Sequence, residues 1–136
     1  MAVDPAAFQH RTKAFALVVI RFSGSLPPGE PSRVISRQLL RSATSSAANY
    51  RSACRARSRQ DMLHKLGIVE EELDETLFWL ELVHESGLTE KVQVDEMVRE
   101  ANEILAMVVA SRKTLRARLA AIDNRQSTIG NRHAAS

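Results

Sequence analysis

The sequence predicts an all-α protein, an antiparallel up-down-up-down four-helix bundle, on three observations. Only four Pro and five Gly occur in 136 residues, and they cluster at a few places, so the long stretches between them favour helices over many short strands. Those stretches carry apolar residues at three-, four- and seven-residue steps, the period of one helix face. Most are opened by a capping residue, and two are closed by Gly or Pro.

The first helix, expected over about 5–22, opens at Asp4 with Pro5 at its first position, where a missing N–H costs nothing. Its stripe reads Phe8, Phe15, Val18, Val19 and Phe22, and "SGSLPPGEP" (Ser23 to Pro31) ends it. The second, over about 33–57, takes Ser32 as its cap and Ile35, Leu39, Ala43, Ala47, Tyr50 and Cys54 as its core face. Its many Ser and Ala residues suit close approach of a neighbouring backbone. Ser58 with Asp61 resembles a shortened capping box and opens the third helix, over about 59–86. Met62, Leu66, Val69, Leu73, Leu77 and Leu80 form its seam, Gly87 ends it, and Gly67 inside it marks a close helix crossing. Thr89 is the expected cap of the fourth helix, over about 90–121, with Val94, Met97, Val98, Ala101, Ile104, Leu105, Val108 and Leu115 on its apolar side. The first 122 residues are thus read as one bundle domain, and polar, aperiodic 123–136 as a flexible tail.

The length suits one core, and 44% hydrophobic with 26% charged residues is the balance of a chain that folds. The single Cys54 cannot make an intramolecular disulfide, and the N-terminus lacks a signal-peptide pattern, so a cytoplasmic protein is expected. The longest apolar run, Ala14 to Ile20, is far shorter than the roughly 20 residues a membrane span needs, so no membrane association is expected.

Net charge is only +3, but its distribution is uneven. From Pro31 to Arg59 there are seven arginines and no acid, net +7, whereas Gln60 to Ser86 holds eight acids against Lys65, net −7. On a continuous helix Arg33, Arg37, Arg41, Arg51, Arg55 and Arg59 fall within an arc of roughly 80°. Such a stripe can bind phosphates in bidentate fashion, or it can pair with the Glu-rich third helix within the chain or across a subunit contact. A second basic cluster, Arg112, Lys113, Arg116 and Arg118, closes the fourth helix, where it also complements the helix dipole.

No histidine has metal-ligand spacing, and there is no phosphate loop or nucleophile elbow, so no catalytic residue, cofactor or metal is assigned. Glu72 with Glu75 and Glu100 with Glu103 resemble the paired carboxylates of all-α, Mg-dependent nucleotide pyrophosphohydrolases. They flank the sides opposite the apolar seams, however, rather than facing inward.

The order of residues adds a resemblance. Gln38-Leu39-Leu40-Arg41, Ala48-Asn49-Tyr50-Arg51, Ser58 with Asp61, His64-Lys65-Leu66-Gly67-Ile68 and Trp79-Leu80 resemble the signature of four-helix-bundle proteins related to the 23S rRNA intervening-sequence proteins. The resemblance spans roughly residues 12 to 118. Met62 stands where an aromatic residue is usual, and Ser46-Ala47 replaces Ile-Gly or Ile-Pro, departures that bear on local packing. The resemblance implies a homopentamer around a central channel. It also implies likeness to the accessory variability proteins of diversity-generating retroelements, which are basic and bind nucleic acid and a reverse transcriptase, but it supplies no catalytic residues.

The expected function is a non-enzymatic bundle whose Arg33, Arg37, Arg41, Arg51, Arg55, Arg59, Arg112, Lys113 and Arg116 contact RNA or DNA backbone without reading sequence. The alternative is a protein-interaction scaffold with a protein client. Asn49, Tyr50 and Trp79 are candidates for packing or a subunit contact.

Overall fold

In the computed structural model, which describes residues 3–134, four helices follow one another: α1 Pro5–Gly24, α2 Glu30–Cys54, α3 Arg59–Glu85 and α4 Lys91–Ala134. Consecutive helices pack side by side, α1 against α2, α2 against α3 and α3 against α4, and a short contact between α1 and α4 closes the bundle. The topology is up-down-up-down, with α1 and α3 on one diagonal and α2 and α4 on the other.

Local chemistry starts the helices. Asp4 caps α1 by accepting from the Ala6 N–H at 3.1 Å, with Pro5 at the first position. Ser58 caps α3 by accepting from the Asp61 N–H at 3.0 Å. Gly87 turns the chain after α3 at φ +77°, in the left-handed region that only glycine adopts cheaply.

The boundaries and faces differ most from those expected at four places. α2 begins at Glu30, one turn before Arg33: its cap is Gly29 at φ +138°, and Ser32 lies inside the helix and buried. The positive φ of Gly29 lets the chain turn early enough for Pro31, whose fixed φ suits a first turn, to be helical. α2 ends at Cys54, three residues before Arg57, because the Arg55 and Ala56 N–H groups turn back onto Ser52 and Ala53 carbonyls. Val18 is 45% exposed; it shares a side of α1 with Arg11, toward the short α1–α4 contact. The largest difference is α4, which continues through residues 123–134 instead of fraying into a tail, while 135–136 lie outside the described residues. Periodicity reports burial against a partner, not helicity. Residues 123–134 contain no Pro and a single Gly, so nothing in that stretch breaks a helix already begun. At about 66 Å, α4 outruns the roughly 40 Å of α3, and every residue from Asp123 to Ala134 is exposed.

The core is built around the α2–α3 seam. Leu39, Ala43, Leu73, Val69 and Leu80 are completely buried, with Ser42, Ser46 and Thr76 among them. The Ser42 and Thr76 hydroxyls lie 2.9 Å apart across the seam, and each also reaches a carbonyl of its own helix, Leu39 and Glu72. This satisfies polar groups that would otherwise cost about 1–3 kcal/mol each to bury. Small side chains on α2 leave room for the larger ones of α3. At Gly67, where a crossing is expected, the guanidinium of Arg112 from α4 lies over the glycine, its nearest atom 3.4 Å from where a Cβ would stand.

Three arginines tie helices together at the bundle flanks. Arg41 joins α2 to α3 through Glu72, at 3.2 Å, and Glu75. Arg11 joins α1 to α4 through Glu100 and Glu103, the latter at 2.6 Å, and Arg112 joins α4 to Glu70 on α3. The hydrogen bond from Arg41, with a second from the Trp79 indole, holds the Glu75 carboxyl below the ordinary glutamate range.

Two outcomes are expected. Ala43→Leu overfills the seam and lowers unfolding free energy by about 1–3 kcal/mol, whereas the exposed Ala48→Leu changes it by less than about 0.5 kcal/mol; urea unfolding followed by circular dichroism measures both. Because the Glu75 pKa is depressed in the folded state, its contribution is present above the unfolded glutamate pKa and is lost as pH falls through the folded value. Arg41→Gln therefore raises the Glu75 pKa toward the ordinary value in a carbon-detected NMR titration, and its stability deficit against wild type shrinks on acidification through that window.

Candidate nucleic-acid interface

Ion pairing sorts the nine basic candidates. Arg41 and Arg112 are committed to acids of α3, and Arg33 pairs with Glu30 one turn away at 2.5 Å. Arg37, Arg51, Arg55, Arg59, Lys113 and Arg116 are exposed and have no ion pair among the described residues.

The stripe expected on one continuous helix is broken. Because α2 stops at Cys54, Arg55 is its C-cap, Arg57 lies in the connection and Arg59 is the first residue of α3. The break concentrates charge: Arg51, Arg55, Arg57 and Arg59 surround one corner of the bundle, while Arg33 and Arg37 belong to the opposite end, near the start of α2.

The chain's second basic cluster reaches that same end. One cavity of about 680 Å³ is lined by Asp4 at the start of α1, Tyr50 near the end of α2, Met62 in the first turns of α3 and Arg118 on α4. The four helices thus converge there, and Lys113, Arg116 and Arg118 stand around the end that carries Arg51 to Arg59. α2 and α4 lie on a diagonal, so the charge forms a cap around the end of the bundle and not a stripe along one face. Arg57 and Arg118 belong to this cap although the stripe geometry did not select them. Arg125 and Arg132, exposed on the extension of α4, went unassigned because that segment reads as a tail.

The three packing candidates have local roles. Asn49 donates to the Ser45 carbonyl at 2.9 Å and to its hydroxyl at 3.0 Å, one turn back on α2. Tyr50 is buried with its ring edge-on to Phe8, centroids 4.6 Å apart, and burial, followed by Cys54, pushes its phenol ionisation up, so it stays neutral. Trp79 is half-buried, packs edge-on against exposed Phe78, and donates from Nε1 to Glu75 at 3.2 Å.

The paired acids are on separate flanks. Glu72 and Glu75 hold Arg41 against α2, and Glu100 and Glu103 hold Arg11 against α1. Among the described residues no group of three or more His, Cys, Asp or Glu is placed to hold a metal ion, and no helix is long and apolar enough to cross a membrane.

Comparison with curated proteins finds no match. A crystal structure of a protein of unknown function from the S23 ribosomal protein family of Bacteroides thetaiotaomicron VPI-5482 is similar, at 30% identity and a TM-score of 0.75. The match covers 80% of this chain and 97% of that one. The family model for the 23S rRNA-intervening sequence protein matches residues 7–110, from the first turn of α1 to the middle of α4. With the four-helix topology, the Asn49-Tyr50-Arg51 segment and the Ser58 cap in place, the chain belongs to the 23S rRNA-intervening sequence protein family.

Proposed function

We propose that the protein is a non-enzymatic, cytoplasmic homo-oligomer, the pentamer that its family resemblance implies, whose basic end binds the phosphate backbone of RNA or DNA without reading sequence. The observation that carries the reading is the gathering of Arg51, Arg55, Arg57, Arg59, Lys113, Arg116 and Arg118 at one end of the bundle, none with an ion pair among the described residues. Arginines with acids within reach, such as Arg41 and Arg112, are already neutralised. Those of the basic end keep their donors free for phosphate oxygens. A cap of charge around a bundle end has no element shaped for a groove, which suits backbone contact over base readout.

A second reading has its own support. Glu71, Asp74, Glu81 and Glu85 are exposed on α3 beside Phe78, itself 50% exposed, and have no ion pair among the described residues. This acidic, partly apolar face complements the basic end, and it makes a scaffold that joins further copies or a protein client.

Binding of structured RNA and duplex DNA across a salt series, with the mass determined in the same buffers, separates the readings. Wild type is expected to bind with affinity falling steeply as salt rises, and Arg55→Glu/Arg59→Glu to reduce the slope of log K against log salt by about 2 at unchanged mass. Arg41→Gln is expected to bind as wild type does. No binding at low salt, together with a lower mass in the double variant, gives the scaffold.

A further inference from the structure

A different feature lies at the opposite end of the molecule, where α1 turns into α2. A cavity of about 450 Å³ opens there, bordered by Ser23, Ser32, Ser36, Arg33 and Arg37. It faces the N-terminus of α2, a 25-residue helix whose cap, Gly29, has no side chain to accept from the first turn. The opening N–H groups of a helix have no partner within it and carry partial positive charge; in this helix Pro31 supplies none, which leaves those of Glu30 and Ser32.

Two further polar groups are unused. Ser32 is 5% exposed, and its hydroxyl oxygen, like the buried one of Ser23, has no hydrogen-bond partner among the described residues. Buried hydroxyls are ordinarily bonded, so an unpartnered pair beside a helix N-terminus and a cavity marks a place for an acceptor. Three neighbouring carbonyls that would repel an anion are engaged: Phe22 accepts from the Ser25 N–H at 2.9 Å and its hydroxyl at 2.6 Å, Ser23 accepts from the Leu26 N–H at 3.5 Å, and Gly29 accepts from the Arg33 N–H at 3.1 Å. The Glu30 carboxylate is held by Arg33. Arg37 is left as the rim cation with no ion pair among the described residues.

We infer that this cavity is a binding site for a phosphoryl group, either inorganic phosphate or a terminal phosphate monoester, held by the N-terminus of α2, the Ser32 hydroxyl and Arg37. A tetrahedral oxyanion has enough acceptor positions to take all three donor types together. The site is independent of the basic end and stands or falls apart from it.

The test is a backbone-amide NMR titration of the full chain with inorganic phosphate at constant ionic strength, chloride replacing phosphate in the control. Saturable shifts confined to Gly29–Arg33 and Arg37 are expected, with affinity weakened about tenfold in both Ser32→Ala and Arg37→Gln, the loss of roughly one charge-assisted hydrogen bond. Arg55→Glu/Arg59→Glu is expected to titrate like wild type. Retained amide dispersion outside the cavity shows that each variant is folded. Shifts that do not saturate, that spread over all basic residues, that vanish in Arg55→Glu/Arg59→Glu or that persist unchanged in Arg37→Gln each overturn the site. A tighter response to a 5′-phosphorylated oligonucleotide than to its 5′-hydroxyl counterpart supports the site with a nucleic-acid end as its source; saturation by inorganic phosphate with no such difference supports it with free phosphate.

Discussion

The close approach of α2 to α3 is the constraint on which the rest of the bundle depends. Ser42, Ala43 and Ser46 are buried where larger side chains would hold the helices apart, and the Ser42 and Thr76 hydroxyls meet across the seam. That approach brings Arg41 within reach of Glu72 and Glu75. It also leaves α4 to pack on the remaining side of α3, where the Arg112 guanidinium covers Gly67. The small residues of α2 therefore set both the core geometry and which arginines are neutralised.

Neutralisation is selective because it depends on helix neighbours rather than on total charge. Arg41 and Arg112 sit at the margins between packed helices and find acids of α3. Arg51, Arg55, Arg57 and Arg59 are at an exposed corner where the chain passes from α2 to α3, and the acid beside them, Asp61, is taken up by Lys65 and the Arg57 backbone N–H. The acids of the outer face of α3 are left in the same condition. A nearly balanced chain thus presents a basic end and an acidic side, the kind of separated charge that steers association with polyanions or with complementary protein surfaces.

Fold class was legible because burial leaves a period in the sequence. The seam of α3 reads directly from Leu66, Val69, Leu73 and Leu80, all buried, and the caps at Asp4 and Ser58 from local hydrogen-bonding chemistry. The extension of α4 was not legible, since a solvated helix has no apolar face to repeat. Nor was the start of α2, where the φ of Gly29 decides that Pro31 and Ser32 are helical. Val18 satisfied the period yet stays exposed because α1 meets α4 over only a short contact.

The candidate interface divides in the same way. That the chain is all-α, that its basic and acidic residues lie in adjoining blocks, and which side of each helix is apolar can all be read along the chain, because helical period and capping are local properties. Which arginines are paired, that α2 breaks at Cys54, and that residues about 60 apart in the chain share one end of the bundle emerge from the packing of the helices. Those outcomes depend on which helices become neighbours, and on distances across the bundle that no periodicity along a single helix contains.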